Sequence, residues 1–139
     1  MNLRYNKKAL SKIAKEYRLK FVILHGSSVG GPQRADSDTD VAVVPEREFS
    51  PEDFLRLYGQ MSFIFGDSPE RELDLKILYR ADPLFRYEVV KKGNLLFGIP
   101  TDYEEYKAVS YRMFEDAKPL FELERLLSEK YQRAHLNKI

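Results

Sequence analysis

The chain has 139 residues, and its 23 Lys and Arg against 22 Asp and Glu leave a net charge of +1, without the footprint of a strong nucleic-acid binder. It contains no cysteine, which excludes a disulfide scaffold, cysteine-ligated zinc, iron–sulfur clusters and a thiol nucleophile. Its two histidines, His25 and His135, cannot build a multi-histidine metal centre.

Residues 7–17 place Leu10, Ile13, Ala14 and Tyr17 at helical spacing with lysines on the other side, which predicts an amphipathic surface helix. Phe21–Leu24 is a short apolar run closed by Gly26 and reads as a buried strand. Gly26 to Asp38 is rich in Gly, Ser, Pro and Asp and reads as a loop, followed by a strand over Thr39–Val44. Ser50-Pro51-Glu52-Asp53 has the cap, the proline and the acids of a helix start, and that helix runs to Phe65 before Gly66. Glu72–Tyr79 alternates, with Leu73, Leu75 and Ile77 on one face and Asp74 and Lys76 on the other, as in a half-buried strand. Asp82-Pro83 opens a helix that ends at Lys91-Lys92-Gly93, and Leu95–Phe97 suits a short edge strand. Thr101 with Glu104 reads as a capping box opening a long C-terminal helix, which Pro119 is expected to kink or break. Tyr103, Tyr106, Met113, Phe114, Phe121 and Leu127 form an apolar stripe on it that suits either a core or a partner.

Alternating strands and helices give an α+β (α/β) class, a small mixed sheet with helices packed on it. At this length a single domain over 1–139 is expected, with a core over about 6–98 and a helical segment over about 101–135. No apolar run approaches the ~20 residues of a membrane span, and Glu16 interrupts the basic N-terminus where a signal peptide would need an apolar stretch. A cytoplasmic setting is expected.

The chemistry lies in His25–Asp40, HGSSVGGPQRADSDTD. Gly26 and Gly31 fit the opening of a phosphate-binding P-loop, but Pro32-Gln33 stand where its Lys-Ser/Thr belongs. Asp36, Asp38 and Asp40 mimic a calcium loop, yet Val41 replaces the turn glycine and Arg47 the bidentate glutamate. The dinucleotide fingerprint G-x-G-x-x-G is absent. What remains is Gly26-Ser27, ten residues, then Asp38-Thr39-Asp40 at the head of a strand.

Alternate strand residues share a face, so Asp38 and Asp40 present two carboxylates together while Val41 and Val43 point the other way. Such a pair repels unless cations hold both ionised, and an oxygen-only donor set selects Mg²⁺ or Mn²⁺. If the strand carrying Asp74 pairs beside the second strand, a third carboxylate joins and completes a two-metal site for in-line phosphoryl displacement. Gly26 permits close backbone approach to a phosphate and Ser27 adds a hydroxyl. Arg34 can neutralise polyphosphate charge or simply be solvated. His25 reads as packed at a strand end, and Lys76 as a solvated lysine within reach of a phosphate.

This pattern, GS-x10-D-x-D on strand–loop–strand with Asp74 on a later strand, resembles the nucleotidyltransferases of the polymerase-β-like superfamily. With the stretch LDLKILYRADPLFRYEVVKKGNLLF from Leu73 onward, the chain looks like the minimal MNT type, which accompanies HEPN-domain proteins in toxin–antitoxin pairs. The resemblance implies a polymerase-β-like fold. It also implies that Gly26 and Ser27 position the triphosphate of ATP, with Asp38 and Asp40 binding two Mg²⁺ and Asp74 ligating the ion that activates the attacking hydroxyl. It further implies transfer of AMP to a tyrosine of a cognate HEPN toxin. Ser28 stands where a bulky basic residue is common in the family, and Gly30-Gly31-Pro32 make a stiffer loop, which bears on nucleotide preference. A non-catalytic antitoxin that works by binding, and transfer to a small hydroxylated molecule, are the competing expectations.

Overall fold

The computed structural model describes residues 4–26 and 38–136. Ser27 and Arg34 lie outside the described residues. The element order is α1 (Lys7–Glu16), β1 (Leu19–His25), β2 (Thr39–Pro45), α2 (Pro51–Phe65), β3 (Leu73–Ile77), α3 (Pro83–Lys92), β4 (Asn94–Phe97) and α4 (Pro100–Leu136), with a 3-10 turn over Leu78–Arg80 between β3 and α3. The sheet order is β3-β2-β1-β4. β1 runs antiparallel to β2 and β4, whereas β2 and β3 are parallel. A parallel pair needs a crossover, and α2 supplies it.

Period-two alternation sorts the strand residues onto two faces. Val22, Leu24, Val41, Val43, Leu73, Leu75 and Ile77 pack with Leu10, Ile13, Leu57 and Met61 from α1 and α2. Phe21, Ile23, Ala42 and Val44 pack on the other side with Val89, Val90 and Tyr103 from α3 and α4. The two central strands are therefore buried on both faces, which explains their continuous apolar runs.

The helix starts follow the local chemistry. Ser50 and Asp53 form a reciprocal capping box ahead of Pro51, and the Asp82 side chain accepts from the Phe85 N–H ahead of Pro83. The last helix departs from expectation at two places. It begins at Pro100, with the Tyr103 N–H donating to the Ile99 carbonyl at 3.0 Å, so Thr101 lies inside the first turn and forms no capping box. Proline's fixed φ suits the first helical position, and the helix starts two residues earlier than a Thr101 cap would give. Nor does Pro119 end the helix, which continues to Leu136. Pro119 is solvent-exposed, so its ring displaces no packed neighbour, and the ion pairs Glu115–Lys118 and Arg125 with Glu122 and Glu129 flank it.

The apolar stripe of α4 divides. Tyr103 is buried and Tyr106 packs against the core, and Phe114 stacks on Tyr87 of α3. Met113, Leu120, Leu123, Leu126 and Leu127 are exposed. The Tyr103 hydroxyl donates to the Val90 carbonyl at 2.7 Å inside the core, and burial pushes its pKa up to about 12, so it remains a donor. Tyr103→Phe should lose about 1–2 kcal/mol in urea unfolding, since it strands a buried carbonyl; an unchanged midpoint would mean that carbonyl finds water.

Candidate active site

β1, β2 and β3 bring three polar residues into one row. His25 pairs with Asp40 across the antiparallel junction, and Asp40 pairs with Asp74 across the parallel one. Paired residues share a face, and this row lies on the side that carries Ile23 and Ala42 further along the same strands. Asp38, two residues before Asp40, enters the row from the mouth of β2, where its Oδ1 accepts from the Glu72 N–H at 3.3 Å. The structure thus brings Asp40 and Asp74 side by side with Asp38 next to them.

The electrostatics are those of crowded acids. The Asp40 carboxyl is held above the usual carboxylate range, first by burial, then by the negative charges of Asp74 and Asp38, with Lys76 working in the opposite direction and a hydrogen bond from the protonated Asp40 carboxyl to Asp74 adding to the rise. Asp74 is half-exposed, and the Lys76 ammonium stands 3.8 Å from its carboxylate while lying 4.7 Å from the centre of the Phe85 ring. His25 is buried with its ring edge-on to Phe85 at 5.9 Å. Burial, then the charge of Lys76, lowers its pKa, against a smaller opposing effect from Asp74. Its Nε2 is buried and finds no hydrogen-bond partner among the described residues.

Gly26 closes the row. Its φ is +75°, and a Cβ there would overlap the Asp40 carboxylate and stand 3.0 Å from its Cγ. Only glycine allows both the turn and the carboxylate in its present position. Gly26→Ala should therefore cost about 1–2 kcal/mol of stability and displace Asp40. Calorimetry with Mg²⁺ and a non-hydrolysable ATP analogue should show at least about tenfold weaker binding; unchanged affinity would separate Asp40 from the nucleotide.

Among the described residues, no group of three or more His, Cys, Asp or Glu side chains could hold a metal ion unaided. The donor set nevertheless fits a hard divalent cation. It is carboxylate oxygen alone, and the repulsion that raises the Asp40 pKa is the kind a cation relieves. Mg²⁺ commonly takes one or two carboxylates and completes its shell with water and substrate phosphates. Asp40 and Asp74, with Asp38 beside them, meet that requirement.

A family model described as polymerase beta, nucleotidyltransferase matches residues 8–102. The chain belongs to this nucleotidyltransferase family. No curated protein matches it. Among solved structures, the nucleotidyltransferase fold seen here is similar to a chain of a toxin–antitoxin crystallised with AMP-PNP, at 21% identity and TM-score 0.70, covering 91% of this chain and 98% of that one. It is also similar to a chain of the tri-AMPylated Shewanella oneidensis HEPN toxin in complex with MNT antitoxin, at 19% identity and TM-score 0.65, covering 90% and 95%. A chain of the toxin–antitoxin MntA–HepT gives 18% identity and TM-score 0.64, covering 90% and 96%. The fold class expected from the sequence is thereby met.

Two features of the nucleotidyltransferase site are not apparent from motif spacing. Lys76 is held between Asp74 and Phe85, where alternation along β3 gives its face but not its partners. Arg86 on α3 donates to the carbonyls of Leu78, Tyr79 and Ala81 at 3.3, 3.0 and 3.1 Å, fixing the turn that follows Asp74. Nothing in the sequence around Arg86 signals that role.

Proposed function

We propose that this chain is a Mg²⁺-dependent nucleotidyltransferase that moves AMP from ATP to a tyrosine hydroxyl of a HEPN-type toxin and so acts as its antitoxin. The observation that carries the reading is the Asp40–Asp74 pairing on one sheet face beside Gly26, with Asp38 two residues upstream. The structural similarity to toxin–antitoxin chains supports the choice of partner. So does the row of exposed leucines on the distal half of α4, which offers that partner an apolar surface.

In the reaction, the acceptor oxygen bonds to the α-phosphorus, the bond to the bridging oxygen breaks, and pyrophosphate leaves. Asp74 faces the acceptor and takes the hydroxyl proton. Asp38 and Asp40 would hold the triphosphate's cation, with Gly26, Ser27 and Arg34 assigned to the triphosphate. Bound divalent ions, two Mg²⁺ or Mn²⁺, would neutralise the triphosphate and acidify the acceptor hydroxyl. Little else is required, because phosphoryl transfer rests on positioning and electrostatics.

One observation favours a second reading, a binding-only antitoxin: Lys76 already engages Asp74, and no three-residue metal group exists among the described residues. Incubation with α-labelled ATP, Mg²⁺ and a HEPN-domain protein encoded beside the gene distinguishes the two. Label on a tyrosine of that protein supports the transferase. A stable complex without label supports the binder.

A further inference from the structure

β3 is an edge strand of the sheet. Its register with β2, from Thr39↔Leu73 to Val43↔Ile77, and the bond from the Thr39 N–H to the Glu72 carbonyl fix the backbone directions. The peptide groups of Glu72, Asp74 and Lys76 face β2, so those of Leu73, Leu75 and Ile77 face outward. The first outward rung is occupied: the Leu73 N–H donates to Asp67 Oδ1 at 3.0 Å, and its carbonyl accepts from the Tyr58 hydroxyl at 3.1 Å. The next is not. No described group meets the N–H and carbonyl of Leu75 or the N–H of Ile77.

Along these open groups runs a cavity of about 570 Å³, lined by Phe54 of α2 on one side and Phe85 of α3 on the other, with Lys76, Arg80 and Asp82. The groove therefore straddles the edge, with an aromatic wall from each layer. Proteins usually blunt an open edge. Here Asp67 and Tyr58 blunt the first rung only, which fixes where an added strand must begin.

The geometry points to this edge as the docking site of the acceptor: an extended segment of the partner protein adds to β3 and presents its hydroxyl beside Asp74. The inference rests on the transferase reading, which makes Asp74, the residue before the groove-lining Leu75, the reacting group. A strand added here places one side chain opposite Leu75, toward Phe54. The residues flanking it fall on the Asp74–Lys76 face, about 5 Å from the β3 side chains. Those positions suit a hydroxyl and, facing Lys76, an acidic residue. Backbone pairing supplies the affinity and the two walls the side-chain preference.

The probe is the peptide acetyl-Thr-Glu-Val-Tyr-Thr-amide, titrated into the full chain while backbone amides are followed by NMR. The Leu75 and Ile77 amides are expected to shift, with saturation on the order of 1 mM, and to exchange about tenfold more slowly in the complex. N-methylation of the peptide at Val and at Tyr removes donors from opposite edges of its strand. The two peptides should therefore differ in affinity by about fivefold or more. An amide-to-ester change at Leu75, which keeps the side chain, should weaken the unmodified peptide about fivefold and leave Mg²⁺–ATP binding unchanged. Equal affinity of the two methylated peptides, or silence at Leu75 and Ile77 while Mg²⁺–ATP still binds, overturns the docking site and leaves the transferase reading standing. Shifts at Leu75 and Ile77 without label transfer to any acceptor overturn the transferase reading, and with it the claim that the docked segment is an acceptor.

Discussion

Asp40→Asn is expected to lower AMP transfer by about 10²–10³-fold while raising the melting temperature of the metal-free protein by about 2–4 °C. Both effects come from one arrangement. Asp40 is the most enclosed of the three acids, and burial with the charges of Asp74 and Asp38 makes its ionised form unfavourable in the folded state. A carboxyl whose folded pKa lies above its unfolded value binds more protons in the native state, so stability falls as pH rises from the ordinary carboxylate range through the raised folded value. Above that window the penalty is fully present, and asparagine removes it. The wild-type protein should therefore gain stability on mild acidification across that window, and Asp40→Asn should flatten the dependence. In the presence of Mg²⁺ and ATP the order reverses: the wild type gains stability by binding and the variant does not. Thermal melts at several pH values, with and without Mg²⁺–ATP, measure both halves. Wild-type transfer by the variant removes Asp40 from the chemistry, and an unchanged melting temperature removes the repulsion.

What the sequence discloses is set by periodicity. The alternation of Leu73–Ile77 is a local pattern that survives into the structure because a strand has a single side-chain period, whereas Asp38 lies just before β2 and reaches the site from outside the strand. The pairing of β2 with β3 is not local, and the expected convergence of Asp74 on Asp40 depended on it. The sheet order supplies it. Of the kink or break expected at Pro119, the break does not occur, for a related reason. Proline removes one backbone bond, but on an exposed helix flanked by ion pairs that loss is tolerated. The capping reading at Thr101 fails because Pro100 competes for the same turn and starts the helix earlier. Gly26 is the reverse case, since its spacing to Asp38 is visible but its contact with the Asp40 side chain exists only once β1 and β2 are paired. Ser27 and Arg34 fall outside the described residues, so their places in the site are proposals.

Asp74→Asn should reduce the transfer rate by about 10²–10³-fold while leaving Mg²⁺–ATP affinity within about threefold of wild type. The asymmetry follows from position. Asp74 is the outermost of the acids, on the edge strand and half-exposed, whereas Asp40 lies deeper against Gly26. In the proposed reaction the group on the edge strand meets the acceptor, and the group against the glycine turn meets the phosphates. Removing the Asp74 charge also withdraws one source of the Asp40 perturbation and frees Lys76 from its 3.8 Å partner. Asp74→Asn alone should then raise the metal-free melting temperature, by less than Asp40→Asn does. The double variant should gain less than the sum, because each substitution relieves the same repulsion. Single-turnover kinetics with calorimetry separate rate from affinity. A fall in nucleotide affinity as large as the fall in rate would place Asp74 on the triphosphate side of the site, and additive melting shifts would mean that the two carboxylates do not sense each other across the β2–β3 junction.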